Sequence, residues 1–199
     1  YWNEGTLNRE ILKDYAEQYY QHVKAFPRYI SATHSICEDI EKRRILLENL
    51  QDEENKDGDH PKLWKNFAKA LGADEKEIEN VKLDWFTKDM IENFFDQARK
   101  SYAEGLASLY TYERQIPEIA ETKIQGLKKF YGVNSKEGLE FFEAHKSADV
   151  IHRAECEKLL DGLSKEEQKK AETSSLLTAR YLWNFLSGLT SKHKLKVAA

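Results

Sequence analysis

The sequence predicts an all-α, single-domain protein. Only three prolines and nine glycines interrupt the 199 residues, and several long segments repeat apolar residues at the three- and four-residue spacing of a helix. No segment alternates convincingly as a β-strand would, and no repeat or linker divides the chain. Hydrophobic residues make up 40% and charged residues 33%, which is typical of one well-buried globular domain.

The first half of the chain carries three clear helix signals. Asn8 is a good N-cap for a helix over residues 8–25, after which Pro27 marks a bend. A second helix is expected over residues 31–50. A third follows a polar, glycine-containing stretch and covers residues 61–70.

The remaining helices begin at recognisable caps. Asp74 with Glu77 forms a capping box that opens a short helical turn. Pro117 suits the first position of a helix, while Ser135 and Ser164 are further N-caps. The longer helices predicted for this half are 87–114, 117–132, one that starts at Ser135, and one from Ser164 to about Leu189.

Charge and cysteine content exclude several classes of protein. A formal net charge of −4 gives no general attraction to nucleic acid or to an anionic membrane, and no apolar run approaches the roughly 18 residues of a membrane span. Cys37 and Cys156 form neither a disulfide framework nor a CxxC site, which favours a cytoplasmic location. The chain starts at Tyr1 without a methionine, so we expect N-terminal residues to be missing from this single 1–199 domain.

Three metal-capable side chains share one face of the helix that begins at Ser135. His145, Asp149 and His152 stand within roughly 60° of one another, because each helical residue advances about 100°. The same spacing continues outward through apolar residues, so this face is expected to be buried. An unpaired polar group there would cost several kcal/mol. A bound metal is the leading explanation, and a metal-free hydrogen-bond network is the alternative.

Further ionisable residues lie on apolar stripes elsewhere. Glu113 follows Tyr102, Leu106 and Leu109 at helical spacing, although a buried ion pair would explain it as well as metal binding. Glu53 and His60 are seven residues apart and would share a face if the helix persisted through Gly58, whereas Glu54 would point about 120° away. A solvated turn over residues 55–59 is the alternative for that pair.

The donor types indicate the kind of metal site. Imidazole and carboxylate together suit iron or manganese, whereas structural zinc favours thiolates and a closed set of four ligands. Six such ligands are too many for one ion that keeps an open position. They fit a two-metal carboxylate centre inside a helical bundle, which in its reduced form can react with O2.

Five longer motifs resemble one known family. These are Trp2–Gly5, Tyr19–Ala32, Asp52–Glu54 with His60–Trp64, Tyr112–Pro117 and His145–His152. Over nearly its whole length the chain is similar to the CADD-like, folate-related proteins among the haem-oxygenase-like dimetal oxidases. The resemblance implies a seven-helix bundle similar to the TenA and PqqC folds.

The resemblance also implies a site and an activity. Its metal ligands fall on Glu53, His60, Glu113, His145, Asp149 and His152, and they would hold an Fe/Fe, Fe/Mn or Mn/Mn pair. Members of the family are identified as p-aminobenzoate synthases that use O2 and an external reductant and consume a tyrosine of their own. Lys123 matches the amino-group donor, Tyr15 and Tyr112 match tyrosines near the metals, and the consumed tyrosine would lie about two residues before Tyr1.

Two other functions remain open from the sequence. An oxygenase or oxidase of the same fold could act on a free small molecule, with many turnovers for each chain. A binding module for death-domain proteins would need an exposed partner surface and no intact metal set. A homodimer is expected for such a bundle. His22 is expected to be a packing or hydrogen-bonding residue, and the Tyr19–Tyr20 pair is expected to pack.

Overall fold

The prediction of an all-α fold is confirmed. The computed structural model describes residues 1–56 and 58–196, apart from the side chains of 147–151. Within these ranges the secondary structure is entirely helical. The helices are α1 (Arg9–Ile36), α2 (Ile40–Glu53), α3 (His60–Ala70), α4 (Glu75–Asn80), α5 (Trp85–Lys100), α6 (Tyr102–Glu113), α7 (Ile116–Phe130), α8 (Lys136–Asp161) and α9 (Lys165–Lys192).

Helix α1 differs from its prediction, because it continues through Pro27 to Ile36. A proline inside a helix removes one hydrogen bond and costs ~3 kcal/mol or more. Here its neighbours Phe26, Tyr29 and Ile30 are all buried, and their burial offsets that cost. The next helix therefore starts later than predicted, at Ile40.

The predicted helix over 87–114 is two helices. Ser101 breaks it with extended backbone angles (φ −159°, ψ 163°), and its hydroxyl accepts a hydrogen bond from Glu104 N at 3.2 Å as the N-cap of α6. The resemblance implies seven helices. The described residues give the same number if α5 and α6 are counted as one helix and the six-residue α4 is left out.

Helix α1 lies between the two main apolar clusters of the core. One cluster is formed largely by α1, α3, α7 and α8, the other by α1, α5, α6 and α9, and Tyr15 and Tyr19 contact both. Helix α2 is shallowly buried, because only Leu46, Asn49 and Glu53 of its 14 residues are buried. No helix in the described part of the chain has the length and apolarity needed to span a bilayer.

Candidate metal centre and adjoining cavity

Three of the expected metal ligands converge in the interior. Glu53, His60 and His145 are buried, and one donor atom from each lies within 4.8 Å of those of the other two. Glu53 is the last residue of α2 and His60 the first of α3, so a loop joins them rather than the continuous helix that was considered from the sequence. His145 reaches them from the middle of α8.

The ring nitrogens of His145 and His60 have different partners in this cluster. His145 Nδ1 donates a hydrogen bond to Phe141 O at 2.7 Å, which leaves Nε2 as the free lone pair of a neutral ring. His60 Nδ1 is buried and faces Glu53 Oε2 at 2.8 Å, where the carboxylate would be paired with the ring proton or with a metal ion. A histidine that anchors one nitrogen on a carbonyl and leaves the other free is arranged as metal-ligating histidines are. These residues therefore fit a metal ion.

The pKa values of the two histidine rings are shifted in opposite directions. Burial, with a contribution from His60, lowers the pKa of His145 to about 4, so this ring is neutral at physiological pH. For His60 the effect of burial is outweighed by the Glu53 carboxylate, and the pKa is raised. A cation in place of the His60 proton would satisfy the same carboxylate.

Glu113, the last residue of α6, lies beside the cluster and has its own set of contacts. Asn49 Nδ2 donates to Glu113 Oε1 at 2.6 Å, and the Cys156 thiol lies 3.7 Å from Oε2. Burial raises the pKa of Glu113 to about 7; Asn49 and His152 oppose the shift, and Glu53 adds to it. Glu113 is therefore close enough to Glu53 and His152 to interact with both, without belonging to the three-residue cluster.

The other α8 candidates have different outcomes. His152 is buried, and its Nε2 lies 3.0 Å from Oδ2 of Asp52, a residue that was not predicted as part of the site. The side chain of Asp149 lies outside the described residues. The structure thus brings Glu53, His60 and His145 together and places Glu113 and His152 beside them.

A small cavity of about 110 Å³ contains the other expected site residues. Its lining includes Tyr15, Tyr19, Tyr112 and Lys123. A second cavity, of about 30 Å³, shares these four residues and is also lined by Phe141, whose ring lies 4.1 Å from that of His145, centroid to centroid. A single aromatic side chain therefore separates the cavity from the metal cluster.

Lys123 sits among aromatic rings. Its Nζ lies 3.7 Å from the ring centroid of Trp2 and 4.6 Å from that of Tyr15. Burial lowers the pKa of Lys123 to about 7, so a large fraction of the amine is unprotonated near neutral pH.

The tyrosines of the cavity form a connected set. Tyr15 and Tyr19 stack with ring centroids 5.5 Å apart. Burial raises the pKa of Tyr19 to about 12, opposed by a side-chain hydrogen bond with Tyr112. Tyr19 therefore does more than pack, because it links Tyr15 to Tyr112, which precedes Glu113 in sequence.

His22 is a packing residue, as expected. Its ring centroid lies 4.8 Å from that of Phe94 and 5.0 Å from that of Tyr112, and neither ring nitrogen has a hydrogen-bond partner within the described residues. Burial lowers its pKa to about 3, so the ring is neutral.

Sequence reasoning missed Asn49, Asp52, Tyr19 and Trp2 as parts of this region. Asn49 could have been found, because it lies three residues after Leu46 and four before Glu53 on the same apolar stripe. The other three lie in motifs that carry the family resemblance, but their contacts could not be read from those motifs, since their partners are remote in sequence.

The chain is similar in sequence to known proteins. Residues 13–183 match the family model described as iron-containing redox enzyme. The chain is 41% identical to the 4-aminobenzoate synthase of Chlamydia trachomatis serovar D over 93% of its own length and 80% of that protein. It is 40% identical to the 4-aminobenzoate synthase of Nitrosomonas europaea, over 94% of this chain and 81% of the relative.

Solved structures confirm the fold. A TenA homologue from Pseudomonas syringae pv. tomato superposes with a TM-score of 0.82 at 16% identity, covering 96% of this chain and 83% of that one. A CADD-like protein of unknown function from Nostoc punctiforme gives 0.78 at 17% identity, covering 94% and 84%. The chain has a haem-oxygenase-like fold and belongs to the family of iron-containing redox enzymes.

Proposed function

We propose that this protein is an oxygen-dependent two-metal oxidase that makes p-aminobenzoate from one of its own tyrosines. The main observation behind this proposal is the buried cluster of Glu53, His60 and His145. It lies one aromatic ring away from a cavity that is lined by Lys123. The similarity to the 4-aminobenzoate synthases described above supports the product.

The metal centre would use the six side chains Glu53, His60, Glu113, His145, Asp149 and His152. Their nitrogen and oxygen donors suit an Fe/Fe, Fe/Mn or Mn/Mn pair. With O2 and an external reductant, the metals would supply the one-electron oxidation of a nearby phenol. The assembly as a homodimer stays a prediction.

The chain's own residues would do the remaining work. Lys123 Nζ, partly unprotonated near pH 7, can attack the oxygen-bearing carbon of the oxidised ring, so that a C–N bond forms and the ring oxygen leaves as water. Release of p-aminobenzoate would also require cleavage of the lysine Cε–Nζ bond and of the tyrosine Cα–Cβ bond, with O2 as the oxidant that converts Cβ to the carboxylate. Phe141 and the apolar cavity wall exclude water from the reacting ring. The hydrogen bond between Tyr19 and Tyr112 can orient the hydroxyl of Tyr112, which could relay an electron between the reacting ring and the metal centre.

The test is a single-turnover assay of the full chain as encoded. The protein is loaded with iron or manganese, reductant and O2 are added, and p-aminobenzoate is quantified alongside the intact and peptide masses. We expect at most one product per chain, with a mass loss at one tyrosine. Product in excess of protein, with unchanged masses, would instead support the oxidase that acts on a free small molecule.

A matched pair of variants isolates the lysine. Lys123→Arg should keep its metal content and lose the product, whereas Lys128→Arg, on the same helix but with a half-exposed side chain, should behave as the wild type. Full yield from Lys123→Arg would contradict the role of the amine. A wild-type protein that binds metal but gives no p-aminobenzoate would refute the proposed function.

A further inference from the structure

The segment before α1 is fixed onto α7 through Trp2. The indole Nε1 donates a hydrogen bond to Thr122 O at 3.1 Å. The ring lies 5.0 Å from that of Tyr131, centroid to centroid, and the Tyr131 hydroxyl donates to Trp2 O at 3.5 Å. These contacts hold both the side chain and the backbone of Trp2 in one place.

Gly126 provides the space for this ring. A Cβ added at Gly126 would lie 2.8 Å from Trp2 Cε2, which is closer than real Cβ contacts allow. Glycine is a poor residue for a helix interior, and Gly126 lies within α7. A glycine is needed at this position because any side chain would overlap the Trp2 indole.

The indole of Trp2 covers the amine of Lys123. The amine lies between the rings of Trp2 and Tyr15, at 3.7 Å and 4.6 Å from their centroids. Across the described part of the chain, Lys123 has no carboxylate within ion-pair distance. We propose that Trp2 is a positioning residue for Lys123, because its indole holds the amine against Tyr15 at the cavity and keeps water from it.

This inference rests on the proposed function for the role of Lys123 as the amine donor. The titratable groups that line the cavity with Lys123 are Tyr15 and Tyr19 of α1 and Tyr112 of α6, while α8 and α9 contribute apolar side chains. Two effects of Trp2 oppose each other. Exclusion of water disfavours the ammonium, whereas the face of the ring attracts it. Burial lowers the pKa of Lys123 to about 7, and we expect this effect to exceed the attraction of the ring face.

The experiment measures the titration of Lys123 directly. The full chain is kept under argon, so that no O2 is available for turnover, and is methylated with formaldehyde and cyanoborohydride at a series of pH values. Peptide mass spectrometry gives the labelling of Lys123, with Lys128 as internal reference. Improved access changes the amplitude of labelling, but the pH midpoint reports the protonation of the amine.

We expect Trp2→Ala and Gly126→Ala to raise the midpoint of Lys123 by about one pH unit or more, a tenfold or larger change in proton affinity. Trp2→Phe keeps a ring and should stay nearer to the wild type. Gly162→Ala is the matched control, because a Cβ there meets only ordinary contacts at 3.5 Å and beyond. Circular dichroism checks the fold of each variant, and Gly126→Ala tests the inference even if Trp2→Ala does not fold.

The outcomes separate this inference from the proposed function. An unchanged or lowered midpoint in folded Trp2→Ala or Gly126→Ala overturns the role of Trp2, whatever the product assay gives. A raised midpoint supports it. A raised midpoint together with a wild-type protein that makes no p-aminobenzoate would refute the proposed function and leave the positioning of the amine by Trp2 in place.

Discussion

Asn49 shows how a neutral side chain can organise a buried acid. It holds one oxygen of Glu113 through a 2.6 Å hydrogen bond, and it is itself buried. A carboxylate fixed in this way loses less conformational freedom when it binds a cation. Outer partners of this kind typically change metal affinity by about 10–100-fold.

We therefore expect Asn49→Leu to weaken metal binding by about 10-fold or more, because Glu113 loses its donor. Titration with Mn²⁺, followed by the paramagnetic resonance of the free ion, measures this. Asn80→Leu is the control, since Asn80 donates only to a backbone carbonyl on the surface. Equal affinities for the wild type and Asn49→Leu would show that Asn49 does not orient a ligand.

Lys123 gives the protein a pH-dependent stability. Its folded pKa of about 7 lies below the ordinary value of 10.5, so between these values the unfolded chain holds a proton that the folded chain does not. The free energy of unfolding contributed by this group therefore rises as the pH increases from about 7 to 10.5.

Lys123→Met should remove that contribution. Urea unfolding at pH 7 and pH 10 is expected to show the wild type gaining stability relative to the variant at the higher pH. Lys128→Met gives the background for loss of a surface lysine. A difference between wild type and Lys123→Met that is independent of pH would mean that the amine is hydrated in the folded protein.

At the scale of elements, caps were predictable and tertiary contacts were not. Asn8, Asp74 and Ser164 cap their helices as the sequence indicates. The break at Ser101 and the continuation of α1 through Pro27 depend on which faces of the helices are buried. Local propensity does not contain that information.

Helices α1 and α6 approach each other closely at Gly105. A Cβ at Gly105 would lie 2.5 Å from Thr33 Oγ1 and 3.2 Å from the backbone of Ala98. Gly105→Ala should therefore cost about 1–2 kcal/mol in unfolding free energy, because overpacking outweighs the better helix propensity of alanine.

Chemical denaturation of Gly105→Ala measures that cost. Gly162→Ala should be neutral in the same measurement, since the added methyl meets ordinary contacts. A stabilised Gly105→Ala would show that α1 and α6 can separate slightly at no cost.

For the whole molecule, the sequence predicted more of the site than of its surroundings. Helical stripes singled out Glu53, His60, His145 and Glu113, which are all buried in the structure, because buried polar side chains stand out against an apolar face. The role of these residues as metal ligands stays a prediction. The cavity beside Lys123 could not be derived in this way. Its walls come from α1, α6, α7 and α9, and their juxtaposition is a property of the packed bundle.

Metal binding should stabilise the whole fold, because its donors come from several helices. Metal at about 100 times its dissociation constant adds about 2.7 kcal/mol, which corresponds to about 5–10 °C in Tm for a chain of this size. Differential scanning calorimetry with and without Mn²⁺ checks this. His60→Ala should abolish the shift, and His22→Ala, outside the cluster, should retain it. An equal shift in His60→Ala would place the metal elsewhere.

The shallow burial of α2 has a consequence for how quickly the site can exchange its ions. This helix ends on Glu53, yet only three of its side chains are covered, so it can detach at a smaller free-energy cost than the helices that carry the histidines. We expect amide hydrogen exchange in α2 to be the fastest among the ligand-bearing helices. The rate at which a chelator removes metal should follow that opening.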